Sequence, residues 1–281
     1  MTFPELTRTA RINGVDLAWE QWGSPTAEPT LVVCHGFSGS GHDFSLHVEA
    51  LAHDRQVIAL DHRGHGRSTK TRDLVSYTIT QLTADLIGLV EATCDVPVDL
   101  LGHSMGGAMS IRLAVERPDL LRSLIAMDTS AWEFVKPDSD IANMMGAFFS
   151  GFDPADGLPS LDLPSPETVL IDAATPQAWR DRKEQLSAGF DPYALKGLGL
   201  ALFTNDMEPV RDRLGEIAFP VTVIAGEHDH PFVGQAPVFA SEVADGQCTI
   251  IGGAYHSPQL THPTEWRAAV QTHLSWVAAR V

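Results

Sequence analysis

Val98-Asp99-Leu100-Leu101-Gly102-His103-Ser104-Met105-Gly106-Gly107-Ala108 decides the reading of this chain. A short apolar run that ends in Gly102 reads as a buried strand. Ser104 follows, with a glycine two positions before it and another two positions after. From Met105 the period changes: Ala108, Ile111, Arg112 and Val115 recur three or four residues apart, as on one helix. The stretch is strand, sharp turn and helix, with a serine at the tip. So tight a turn strains the serine backbone and crowds side chains two residues away, a crowding that glycine at 102 and 106 relieves. A bare Gly-x-Ser-x-Gly arises by chance in about one chain in ten of this length, so the flanking strand and helix carry the reading.

Outward from that stretch, strand and helix alternate. Leu6 to Ile12 and Val15 to Trp22, joined by Asn13-Gly14, read as an antiparallel hairpin. Thr30 to Cys34 is a fully apolar strand running into His35-Gly36-Phe37-Ser38-Gly39-Ser40-Gly41. A helix over Phe44 to Ala52, a strand over Gln56 to Leu60 and a loop over Asp61 to Ser68 come next. Thr80 to Cys94 follows as a helix with Leu82, Leu86, Leu89 and Val90 on one face. Leu121 to Met127 closes the first half as a strand. Continuous apolar strands belong to a sheet covered on both faces.

The alternation breaks at about Trp132. From there to Arg213 no buried-strand run occurs, and helical patches cover Ile141 to Phe149, Pro176 to Leu186 and Tyr193 to Phe203. It resumes with a strand at Val221 to Ala225, a helix over Gln235 to Ala244, a strand at Cys248 to Ile251 and a helix over Thr264 to Ala279. The expected fold is α/β: a doubly wound, mostly parallel sheet of about eight strands, with an all-helical cap inserted between two of them. The expected division is core at 1–131, cap at 132–213 and core again at 214–281.

Composition bounds the partners. The 281 residues carry a formal net charge of −17, which repels phosphate backbones and anionic membranes, so neither nucleic acid nor membrane is an expected partner. No stretch approaches the roughly 18 apolar residues of a membrane span, and Met1 to Glu5 has neither a basic nor an apolar segment. Cys34, Cys94 and Cys248 are few and widely spaced, which fits reduced thiols in a cytoplasmic protein. The Asp61…Ser68 histidines and His228-Asp229-His230 lack the spacing of a zinc site, so no metal is expected. Gly36, Gly39 and Gly41 are followed by no Gly-Lys-Ser/Thr, so no phosphate cradle or other cofactor is expected. The oligomeric state is not legible.

The chain resembles the α/β-hydrolase superfamily, in its cap-bearing esterase, lactonase and C–C-hydrolase branch. The resemblance covers about residues 10–130 and 215–281. It rests on His35-Gly36-Phe37, the Asp61…Ser68 loop, Gly102…Gly107, and the late pair Gly226-Glu227-His228-Asp229 and Ala254-Tyr255-His256. In that family the partners of the serine follow in the order Ser, Asp, His. The resemblance therefore implies Ser104 as nucleophile, His256 as general base and then acid, and Asp229 as the group that orients His256. Asp229 lies just beyond a strand, at the sheet edge where doubly wound folds place their sites. Asp128, at the end of the preceding strand, is the rival orienter, although Asp128-Thr129-Ser130 also reads as an N-cap for the cap's first helix. The implied oxyanion hole is made of the backbone N–H groups of Phe37 and Met105. His35 is expected to brace the loop rather than react.

A serine at the tip rules out dehalogenases and epoxide hydrolases of this family, which need an aspartate there. What remains is a serine hydrolase acting through an acyl-enzyme on a small, largely apolar carboxylic ester or lactone. A C–C bond hydrolase or lyase, a cofactor-free perhydrolase of haloperoxidase type, and a receptor-like binding protein stay open as alternatives.

Overall fold

The computed structural model describes residues 7–95, 97–159, 165–204 and 207–280. Its eight strands are β1 (Thr7–Ile12), β2 (Val15–Trp22), β3 (Leu31–Cys34), β4 (Val57–Leu60), β5 (Val98–His103), β6 (Leu121–Met127), β7 (Val221–Gly226) and β8 (Gly246–Ile251). They form one sheet in the order β1-β2-β4-β3-β5-β6-β7-β8. The Asn13-Gly14 turn, both residues at positive φ, folds β1 back on β2. β2 also pairs antiparallel with β4, and every later pairing is parallel.

The helices are α1 (Val48–Leu51), α2 (Ile79–Thr93), α3 (Met105–Glu116), α4 (Asp140–Gly151), α5 (Pro166–Ala174), α6 (Gln177–Ala188), α7 (Pro192–Phe203), α8 (Phe232–Glu242), α9 (Pro258–Thr261) and α10 (Pro263–Ala278). α2, α3 and α8 cover one face of the sheet through Leu82, Leu86, Met109, Leu113 and Phe239. α1 and α10 cover the other through Val48, Leu51, Trp266, Val270 and Leu274. Sandwiched between them, β3, β4, β5 and β7 are buried along their whole length, which is why they read as largely apolar runs.

Between β6 and β7 the described residues hold four helices, α4 to α7, and no strand. α4 packs on α7, where Gly199 leaves room for the Phe149 ring. α7 buries Leu195, Leu198 and Leu202, whereas α5 buries none of its residues. No described helix is long and apolar enough to cross a membrane.

Two local expectations are corrected. The helix expected over Phe44 to Ala52 is instead a 3-10 turn, Gly41–Phe44, followed by the single turn α1. The 3-10 turn starts early because Asp43 reaches back to the N–H of Ser40. Asp128 is not an N-cap: α4 begins a dozen residues later, capped by the Ser139 hydroxyl, which accepts from Ala142 N–H. The carboxylate of Asp128 instead accepts the N–H of Gly226 across the sheet edge, at 2.8 Å. Partners 98 residues apart outcompeted the local cap.

Candidate active site

β3, β5, β6 and β7 are parallel, so all deliver their carboxyl ends to one edge. β3 has β4 on one side and β5 on the other, so the order in which strands are added reverses between β3 and β5, the place where such sheets bind ligands. Ser104 sits there, between the last residue of β5 and the first of α3, at φ +53°. Its N–H donates to Met127 O at 2.9 Å, and the Thr129 hydroxyl donates to Ser104 O at 2.7 Å. A β-carbon at Gly102 would stand 2.6 Å from Gly106 O, and one at Gly106 would stand 2.6 Å from Cys34 O. The glycines are there because α3 leaves the turn pressed against β3 and β5.

The loops after β7 and β8 bring two side chains to the serine. The Ser104 hydroxyl lies 2.9 Å from His256 Nε2, and His256 Nδ1 lies 2.8 Å from Asp229 Oδ2. With the proton on Nδ1, His256 donates to Asp229 and accepts from Ser104. Asp229 is 8% exposed, whereas the His256 side chain is 34% exposed, opening onto the cavity. Burial pulls the imidazole pKa down, but the hydrogen bond to Asp229 and the charges of Asp229 and then Glu167 outweigh it. The net pKa lies above the ordinary 6.5. His103, next to the serine, donates from Nε2 to His256 O at 2.7 Å and fixes that loop from below. Burial lowers His103 to about 3, so it stays neutral.

Asp128 also arrives at this edge, but its hydrogen-bond partner is Gly226 N–H, not His256. Burial first, then the charge of Asp229, pushes its pKa well above the usual carboxylate range. His228 and His230 are exposed, and His262 lies at the start of α10 with Nδ1 3.0 Å from the Thr261 hydroxyl oxygen.

Gly36 and Phe37 lie against the serine: a β-carbon on Gly36 would stand 3.0 Å from Ser104 Cβ. Met105 opens α3, so its N–H is one of the four that have no partner within the helix. His35 braces this loop: its Nδ1 donates to Gly36 O at 2.8 Å and its Nε2 accepts His62 N–H at 3.0 Å. From the Asp61…Ser68 loop, Asp61 accepts Gly41 N–H at 2.8 Å, so that loop serves as scaffolding. Among the described residues no group of His, Cys, Asp and Glu is arranged to hold a metal ion.

Two hollows of about 410 Å³ each meet at Ser104, His256 and Phe203. One is walled by Phe134, Val135, Ile141 and Phe232, the other by Phe37, Ile171, Trp179 and Leu260. A roomier hollow of about 630 Å³, lined by Tyr77, Arg112, Leu200 and Met207, lies apart from these residues. Of the apolar residues in 132–213, Phe203 faces both arms and Phe149 touches Phe37, while Met144 and Phe148 point to solvent.

A family model described as the alpha/beta hydrolase fold matches residues 29–263. The chain belongs to the alpha/beta hydrolase fold family. It is 32% identical over 125 residues to the uncharacterized hydrolase YugF of Bacillus subtilis, covering 44% of this chain and 45% of that relative. It is 33% identical over 112 residues to a 3-hydroxybutyrate-oligomer hydrolase of Cupriavidus necator, covering 40% and 38%. These alignments span less than half of either relative. An enol-lactonase of Burkholderia xenovorans LB400 superposes with a TM-score of 0.75 at 20% identity, over 95% of this chain and 100% of that one, a likeness of fold.

In this alpha/beta hydrolase, one residue near the site escapes sequence reasoning altogether. Glu167 of α5 accepts the N–H of Ser257, the residue after His256, at 2.5 Å. Its stretch carries a helix-start signal, Ser165 as N-cap and Pro166 at the first helical position, but no apolar periodicity, so only the fold shows that Glu167 comes to His256.

Proposed function

We propose that this protein is a serine hydrolase that cleaves a small, largely apolar carboxylic ester or lactone through an acyl-enzyme. The observation that carries the reading is the relay Ser104–His256–Asp229, with hydrogen bonds of 2.9 and 2.8 Å at the switch point of the sheet. A serine hydroxyl is a poor nucleophile until a base takes its proton, and the base needs a fixed tautomer. As Ser104 Oγ attacks the carbonyl, its proton passes to His256 Nε2, and Asp229 stabilises the imidazolium. The N–H groups of Phe37 and Met105 take the developing oxyanion, the second aided by the positive end of α3. His256 returns the proton to the leaving oxygen, then draws one from the water that releases the acid.

The apolar walls on either side of Ser104 support an ester whose acyl and alcohol parts are both small and apolar. Residues 132–213 serve as a cap over the core halves 1–131 and 214–281. Three unpaired cysteines support a cytoplasmic setting. A panel of p-nitrophenyl esters, followed at early times, tests this directly. A burst and then steady turnover is expected, with a phosphonate labelling Ser104 alone by mass spectrometry and Ser104→Ala losing about 10⁴-fold or more in kcat. Label elsewhere, or a substantially active Ser104→Ala, ends the reading.

A further inference from the structure

α5 buries none of its residues, yet Glu167 in its first turn reaches the core. Its Oε1 holds the N–H of Ser257, where the chain passes from His256 into α9, and α5 packs against α9. The carboxyl is half-buried, and its charge bears on His256, Asp229 and Asp128. We propose that Glu167 is a positioning residue for His256: it pins the backbone at Ser257 and sets a second negative charge beside the imidazole, supplementing Asp229. The idea rests on the reading of His256 as the base.

The charges around the imidazole are few. Asp229 faces it from the loop after β7, neutral His103 from the end of β5, and Glu167 from α5. His230 and Lys136 border one of the two hollows, Lys183 and Asp43 border the other, and Asp128 stands behind Asp229. Beyond burial, the titration of His256 responds to Asp229 and Glu167. Glu167 itself is pushed up by burial and by Asp229, and pulled down by His256 and by the Ser257 N–H. Acyl transfer creates an imidazolium at His256, so a nearby carboxylate stabilises the transition state more than the ground state. Because that carboxylate belongs to the helical segment and not to the sheet, seating of α5 and basicity of His256 become linked.

The test separates charge from anchoring. Glu167→Gln keeps a carbonyl oxygen for the Ser257 N–H and removes only the charge, while Glu167→Ala removes both. His256 is titrated by NMR in the full-length protein labelled with ¹⁵N-histidine, and kcat/KM for p-nitrophenyl acetate is followed against pH. In Glu167→Gln the His256 midpoint and the acid limb should both move down, with plateau kcat within about threefold of the parent. Glu167→Ala should show the same displacement and a further loss of about tenfold in kcat, with KM less affected. An unmoved His256 midpoint in Glu167→Gln overturns the proposal whatever the kinetics. The NMR titration needs no turnover, so a chain inert toward esters would end the hydrolase reading and leave this question answerable.

Discussion

Asp128 and Asp229, two acids from the ends of the adjacent parallel strands β6 and β7, come together at one sheet edge, and of the two only Asp229 is hydrogen-bonded to His256. Asp128 sits at φ +46°, fully buried, with Oδ1 on the N–H of Gly226. Among the described residues no N–H or hydroxyl reaches its Oδ2. Burial first, and then the charge of Asp229, favours the protonated form of Asp128. Asp229 holds the histidine, while Asp128 holds the N–H of Gly226 at the end of β7.

This relationship sets the outcome of two asparagine substitutions. Asp229→Asn preserves shape but lets His256 take the wrong tautomer, and kcat should fall about 10⁴-fold. Asp128→Asn retains an oxygen for Gly226 N–H and is uncharged, copying the protonated acid, so kcat should fall less than about tenfold. Measuring kcat for both on one good ester decides the matter. A crippled Asp128→Asn beside an active Asp229→Asn would make Asp128 the orienter.

The sheet and the serine turn were legible because their physics is local. A parallel strand buried on both faces is apolar except where a polar group is paired, as Asp99 of β5 is with Arg55 and Arg122, and the pressed turn at Ser104 demands glycine at 102 and 106. The Gly-x-x-Asp placing of Asp229 was likewise readable beyond β7. Asp128-Thr129-Ser130 reads as a cap as readily as an orienter because Asp-Thr-Ser is a local signal, while Gly226, the partner of Asp128, lies 98 residues away. Helix α5 was missed since none of its residues is buried and so no apolar stripe marks it. Glu167 shares that helix, and its contact with Ser257, 90 residues distant, exists only once the fold is made.

Histidine burial predicts acid lability. Burial lowers His42, His47, His62 and His273 to about 4 and His65 and His103 to about 3, and holds His35 well below 6.5. Above 6.5 folded and unfolded chains hold these rings neutral alike, and nothing is lost. Below 6.5 the unfolded chain takes up protons that the folded one refuses, and stability falls about 1.4 kcal/mol per pH unit for each, down to its folded pKa. His256 has the opposite sign: its raised pKa contributes stability that is full below 6.5 and lost as pH rises through the folded value. The proposed activity, which would need His256 as a neutral base, should appear through that same step. Urea unfolding at about pH 7 and about pH 5 should show a steep loss at the lower pH. A flat stability across that window would mean the rings are not held neutral.

Helix α6 bears on the loop that carries Phe37. Trp179 of α6 is 2% exposed and stacks on His42, with ring centres 5.2 Å apart and planes 15° from parallel. Its Nε1 donates to His42 O at 3.2 Å and to the Ser45 hydroxyl oxygen at 3.1 Å, while Trp179 O accepts from His42 Nε2 at 3.1 Å. One turn on, Lys183 pairs with Asp43 at 2.5 Å. His42 and Asp43 close the loop that begins at His35, so a helix of the segment between β6 and β7 clamps the far end of the stretch holding the proposed oxyanion donor. Trp179→Ala opens a cavity costing about 3–5 kcal/mol and frees that stretch. Thermal stability should drop, and kcat should fall by about tenfold or more while KM changes less, because a displaced donor is missed in the transition state more than in the bound substrate. Trp179→Phe keeps much of the ring contact and loses the Nε1 hydrogen bonds, so its kcat should lie between the two. If Trp179→Ala lowers stability but leaves kcat intact at a temperature where it is fully folded, α6 is a roof over the site and not a brace for Phe37.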